Sequence, residues 1–219
     1  SQVVQDLTSV TGNVQSLKNT VNELAAAGST RTDFGLNQAQ RVLDGDRQHG
    51  LGGAREEAKQ VVVVFTDGEP STFSNWSGGV AANAVNLAKD LKDDKVTVYT
   101  IGMFEDADPS DTDGRFNKYM NGVSSNYPKA EVTNWRGDRT QDWDDCKLGT
   151  RVTEGNYYFA ADDAEELENA FSTIADNVST SKVAAGANTV LSDTLSEFFT
   201  FPEGLTGSSD GGMVQDAEV

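Results

Sequence analysis

The chain is poor in cysteine, histidine and positive charge, and each shortage excludes something. Cys146 is the only cysteine in 219 residues, so no internal disulfide framework exists and a buried core must hold the fold, for which the length suffices. Its thiol reads as unpaired, unless a partner lies outside the chain. His49 is the only histidine and sits among Gly45, Gly50, Gly52 and Gly53 with no matching nucleophile, which marks loop rather than a catalytic base. Lys and Arg number 17 against 35 Asp and Glu, a formal charge of -18, and nucleic acid as a partner is excluded because phosphate binding needs a basic face. Such a surface attracts divalent cations weakly, a bias that salt screens beyond about 8 Å. No apolar run approaches the roughly 20 residues of a membrane span, so direct membrane insertion is not expected. The start Ser1-Gln2-Val3-Val4 is no signal peptide, and any targeting or anchoring segment is expected outside this chain.

What is present is led by Val61-Val62-Val63-Val64-Phe65-Thr66-Asp67-Gly68-Glu69-Pro70, a β-branched run that stops on an acidic turn. Such a run predicts a buried strand of a parallel sheet, and ligands of those sheets sit outside the carboxyl ends of the strands. Asp67 stands at that end. The same Asp-Gly also serves simply to turn the chain. A P-loop reading, with Asp67 holding magnesium, fails because no G-x-x-x-x-G-K-[ST] occurs.

Periodicity supplies the rest. Val14, Leu17, Val21 and Leu24 mark one apolar face of a helix that Gly28 would terminate. A second helix buries Leu36, Ala39 and Leu43, with Thr32 or Asp33 as its cap. Val80, Ala84, Leu87 and Leu91 form a third, followed by a strand from Val96 to Ile101; with the strand at 61 to 66 this is a parallel, right-handed β-α-β unit. The stretch from Met103 to Gly155 is long for a connection and shows one short helix, on Phe116, Tyr119, Met120 and Val123. Long loops of this kind are functional or disordered. Tyr157 to Ala160 reads as a third strand. Asp162 with Glu165 opens a helix whose apolar face is Leu167, Ala170, Phe171, Ile174 and Val178. Near Lys182 the pattern changes to a β-prone stretch, Asn188 to Phe201, and then to glycine and serine, which places a domain boundary there. No internal repeat is visible.

Three segments in this order resemble a von Willebrand factor A-type domain: Gly28-Ser29-Thr30-Arg31-Thr32 before a helix, the strand ending in Thr66-Asp67-Gly68-Glu69-Pro70, and Val98-Tyr99-Thr100-Ile101-Gly102. The aromatic strand and final helix also fit, so the resemblance covers roughly residues 7 to 178. It implies an α/β, Rossmann-like and largely parallel sheet with helices on both faces. Residues 1–181 would be the C-terminal portion of such a domain and 182–219 the linker and start of a β-rich, Ig-like or Cna-B-like domain. Asn117-Lys118-Tyr119-Met120 through Pro128, and Leu191 to Phe199, are further similar to Gram-positive surface and pilus-tip adhesins.

The resemblance implies a divalent cation, Mg²⁺ by preference with Mn²⁺ or Ca²⁺ as substitutes, held by three elements: a D-x-S-x-S loop, a threonine and the Asp of T-D-G. Two map here, Thr30 and Asp67. Hard oxygen ligands of this kind suit Mg²⁺, which keeps waters and leaves a position for a partner's carboxylate. No D-x-S-x-S occurs, since Asp6-Leu7-Thr8-Ser9-Val10 has the wrong spacing and Asp193-Thr194-Leu195-Ser196-Glu197 does not match. The family's first three strands should precede about Leu7 and are missing. The first of them is central in the family's sheet, so the edge of the strand at 61 to 66 is expected to lie open, a pairing hazard for the isolated chain.

Other motifs are weaker. Asp106, Asp108, Asp111 and Asp113 suggest a calcium loop, but the EF-hand register set by Gly114 would begin at Pro109 and end at Met120, so a solvated acidic loop is expected. Arg136-Gly137-Asp138 matches the integrin-recognised tripeptide, a match that chance also produces. Asn75-Trp76-Ser77 and Asn177-Val178-Ser179 would matter only in a glycosylating pathway. Trp76 is either a partner-binding aromatic or a loop anchor. The reading that follows is a non-enzymatic, extracellular binding domain on a bacterial cell wall or pilus, with a host or matrix protein, or other pilus subunits, as partners. A structural spacer without a cation is the alternative. A metal-dependent phosphoryl-transfer enzyme is another, although Glu69 stands where its second Asp should be.

Overall fold

The computed structural model describes residues 3–25, 28–55, 58–73 and 75–179, and residues 1–180 form one compact unit. The β-branched run folds as strand β1 (Val61–Thr66). Helix α3 (Gly78–Asp93) carries the chain over to strand β4 (Thr97–Gly102), which pairs with β1 in parallel, Val61 opposite Thr97 through Thr66 opposite Gly102. The third strand, β7 (Tyr158–Ala160), joins the other side of β4, again parallel, so the order is β1-β4-β7. The Rossmann-like α/β class is therefore as the sequence implies. The hairpin β2 (Ser71–Thr72) and β3 (Asn75–Trp76) lies between β1 and α3, and β5 (Glu131–Val132) pairs antiparallel with β6 (Cys146–Lys147).

Two apolar clusters flank the sheet. On one face α3 buries Ala84, Val85, Ala88 and Leu91 against Val98 and Tyr158, joined by Leu36 of helix α2 (Thr32–Asp44) and by Tyr119 and Met120 of helix α4 (Arg115–Val123). On the other, Ala170 and Ile174 of helix α5 (Ala164–Ser179) cover Tyr99 and Ile101. Ser77 caps α3 by accepting a hydrogen bond from Val80 N, the arrangement that small hydroxyl residues favour at this position.

Three expectations need correction. Helix α1 (Val14–Asn22) forms, but it buries none of its residues; Val14, Val21 and the following Leu24 remain exposed because no described element packs on that face. Neither Thr32 nor Asp33 caps α2, since Arg31 occupies the cap position and its side chain bonds no free backbone N–H of the first turn, while Asp33 turns back to pair with the Arg31 guanidinium. The start of α5 is shifted by one residue: Asp163 Oδ1 accepts from Glu165 N and Glu166 N, and Glu166 Oε2 accepts from Asp162 N. The reciprocal cap is real, on neighbouring residues.

Strand β1 departs from a fully buried strand. Val62 and Val64 pack on the core, whereas Val63 and Phe65, on the opposite face, are 36% and 50% exposed. Among the described strands β1 pairs only with β4.

The long insertion is ordered rather than loose, and carboxamides explain why. Asn86 donates to Val132 O (3.1 Å) and accepts from Val132 N (2.9 Å), fixing β5 to α3. Asn126 accepts from Tyr157 N (2.9 Å), and Asn117 donates to Asp106 O and accepts from Asp108 N and Tyr158 OH. Buried polar groups with all partners present hold a segment firmly. Cys146 lies buried here as a free thiol, and burial pushes it up to about 11, away from reactivity. Asn188 to Phe201 and the boundary near Lys182 lie outside the described residues.

Candidate functional site

The carboxyl end of β1 closes into a tight turn. Thr66 Oγ1 accepts from Gly68 N (3.2 Å) and donates to Gly68 O (2.8 Å), which leaves Asp67 exposed at the bend. The hairpin beyond it returns the chain to the loop before α2. Ser71 N donates to Thr30 O and Thr30 N donates to Ser71 Oγ, both at 3.0 Å, and Phe73 N donates to Ser29 Oγ at 3.1 Å. Thr30 is thereby laid against the T-D-G turn: a Cβ added to Gly68 would stand 3.2 Å from Thr30 Oγ1. A side chain at residue 68 would push the hydroxyl away, so glycine here serves the close approach.

The hydroxyls here differ in what they have left to offer. Those of Ser29, Ser71 and Thr66 hold backbone groups. Thr30 Oγ1 and the Asp67 carboxylate make no hydrogen bond among the described residues. These two oxygen donors, on loops far apart in the chain that meet where Thr30 Oγ1 lies against Gly68, are the pair that sequence analysis singles out. Their chemistry fits a hard divalent cation that keeps several waters. Among the described residues no group of three or more His, Cys, Asp or Glu gathers anywhere as a ready metal cage.

The floor of the site is aromatic. Trp76 packs edge-on against Tyr119 and Trp143, with ring centroids 6.3 and 5.4 Å apart, so it is the loop anchor of the two roles open to it. Arg115 lies over Trp76, 4.5 Å from the ring centroid, and Arg115 Nη2 bonds both oxygens of Glu69 at 3.0 Å. Tyr119 OH donates to Thr32 Oγ1 at 2.5 Å, and burial raises its pKa. The loop bearing Thr30 is thus tied to the core from beneath.

Phe73 is the residue that sequence reasoning missed. It is 93% exposed at the tip of the hairpin, with a backbone φ of +50° that non-glycine residues rarely adopt. The aromatic in an otherwise polar Ser71-Thr72-Phe73-Ser74 turn was the available signal.

The remaining motifs resolve into structure. Asp108 and Asp111 are turn formers: Asp111 accepts from Gly114 N, Asn117 Nδ2 and Asp113 N, and these bonds hold its pKa below the ordinary carboxylate range. Arg136-Gly137-Asp138 is an exposed turn organised by Asn134 Oδ1, which accepts from Arg136 N and Asp138 N. His49 belongs to a single 3₁₀ turn and contacts Asp46 through Nδ1 at 2.8 Å.

No curated protein and no solved structure matches the chain significantly. A family model for the von Willebrand factor type A domain matches residues 1–134, which include the Thr30 loop, the T-D-G turn and strand β4. The parallel sheet and the meeting of these two loops agree with that match, and the chain belongs to the von Willebrand factor type A domain family.

Proposed function

We propose that this chain is a non-enzymatic binding domain of a bacterial surface or pilus adhesin, acting outside the cell through a divalent cation held in part by Thr30 and Asp67. The observation that carries the reading is that Thr30 Oγ1 lies against Gly68, the residue next to exposed Asp67, and that neither Thr30 Oγ1 nor the Asp67 carboxylate has another hydrogen-bond duty while the hydroxyls around them are occupied. The cation would supply an electrophilic point for a carboxylate of a host or matrix protein, or of another pilus subunit. Exposed Phe73 stands beside it as an apolar contact.

Mn²⁺ titration followed by electron paramagnetic resonance tests this. Asp67→Ala is expected to weaken Mn²⁺ binding by at least about tenfold, roughly 1.4 kcal/mol. Gly68→Ala should also weaken it, by displacing Thr30 Oγ1, while leaving the fold intact. Equal Mn²⁺ affinity in wild type and Asp67→Ala would remove the site, and ligand capture that survives EDTA would remove the mechanism.

A structural spacer without a cation is the second reading, favoured by the presence of just one carboxylate in the pair. Phosphoryl transfer is disfavoured because Glu69, the group nearest in sequence to a second acid, is forked by Arg115.

A further inference from the structure

A cleft of about 560 Å³ opens between α2, α3 and the loop at 139–141, within the size range of small-molecule sites. Its polar groups divide into two sets. The charged and buried ones are already matched. Asp33 accepts from Arg31 Nε (2.9 Å), Arg31 Nη2 (2.8 Å) and Phe34 N (2.9 Å). Arg139 forks Asp90 with both terminal nitrogens, Thr140 Oγ1 donates to Asp145 Oδ2, and both ends of the Asn86 carboxamide go to Val132.

The other set is Asn37, Asn83 and Gln141. None of these side chains makes a hydrogen bond or ion pair among the described residues, so each offers two N–H donors and a carbonyl acceptor to whatever enters. Phe34 and half-buried Leu87 add apolar surface to the same lining. Phe34 is 45% exposed, with Arg31 stacked 3.7 Å from its ring centroid.

Charges cancelled within the protein give no reward to an ionic ligand. Three carboxamides lining one cleft present donors and acceptors together, which suits groups that both donate and accept, the chemistry of adjacent hydroxyls. Phe34, by the ring face that Arg31 leaves open, and Leu87 on the same lining match a C–H face. We propose that this cleft binds one neutral sugar ring, its hydroxyls on Asn37, Asn83 and Gln141 and its apolar face against Phe34 and Leu87. The site needs no metal and is separate from the Thr30–Asp67 pair.

Saturation-transfer difference NMR on the full chain, which tolerates high molecular mass, decides the matter with the methyl glycosides of glucose, galactose, mannose and N-acetylglucosamine as probes. At least one should receive saturation with a Kd of about 1 to 10 mM, the weak range of a single small ring. Asn83→Ala and Gln141→Ala, at half-buried and exposed positions, should each weaken it by about threefold or more without changing the melting curve, and EDTA should have no effect. Silence from all four glycosides overturns the proposal. So does transfer that persists unchanged in the Asn83→Ala/Gln141→Ala double variant, or transfer that EDTA abolishes. Loss of Mn²⁺ binding in Asp67→Ala bears only on the cation site, so the two readings fail independently.

Discussion

Replacing Lys92 with methionine is expected to lower the unfolding free energy by about 3 kcal/mol, because three buried carbonyls then lose their donor at about 1 kcal/mol or more each. Lys92 sits near the end of α3 and sends its ammonium into the insertion, where Nζ donates to Gly122 O (2.8 Å), Tyr127 O (3.0 Å) and Ser124 O (3.2 Å). One side chain therefore closes the end of α4 and the loop after it onto α3. Methionine keeps the stem's packing and removes the three bonds. Urea unfolding measures the loss; a change below about 1 kcal/mol would show that the carbonyls find water instead.

The same group makes stability depend on pH. Burial, with repulsion from Lys89, brings Lys92 down to about 7, while Asp93 and Cys146 pull the other way and the three carbonyls reward retention of all three protons. A lowered pKa means that the unfolded chain holds the proton between about 7 and its ordinary 10.5 while the folded chain releases it. Raising pH through that window therefore favours folding, by up to about 1.4 kcal/mol per unit from this group. Below it the advantage is lost. The buried Tyr119 and Tyr158, both raised by burial, act oppositely above pH 10. The comparison is therefore the stability of wild type minus Lys92→Met from about pH 6 to about pH 9.5, expected to rise with pH; a flat difference would place the folded pKa near its ordinary value.

The second large effect concerns β1. An extended strand with one unpaired edge and two exposed apolar side chains, Val63 and Phe65, should associate with other copies. Sedimentation velocity of the 219-residue chain from about 10 to about 200 µM, where exposed edges associate, should show an average mass that climbs with concentration. Val63→Lys with Phe65→Lys removes two contacts of about 1.5 to 3 kcal/mol each and should weaken association by tenfold or more. A wild-type chain that is monomeric throughout and melts cooperatively would overturn this expectation.

Much of this architecture is written in short-range pattern. The Val61–Thr66 run, the Val80/Ala84/Leu91 spacing and the Thr66-Asp67-Gly68 turn each depend on neighbours a few residues away, which is why the β-α-β unit and the exposed Asp67 can be derived from the residues alone. Resemblance to a family added Thr30, which no local pattern singles out. What the sequence could not decide was how distant segments meet. The Thr30 hydroxyl is free while those of Ser29 and Ser71 are engaged, because a hairpin 41 residues further on aligns with one backbone register and not another. Lys92 looks like any solvated lysine at a helix end until carbonyls 30 to 35 residues away close on it. The α1 stripe predicts a buried face and instead stays exposed. Periodicity states which face could be buried, since it follows from backbone geometry within one element; whether anything covers that face, and which polar group finds a partner there, is set by the packing of elements remote in the chain.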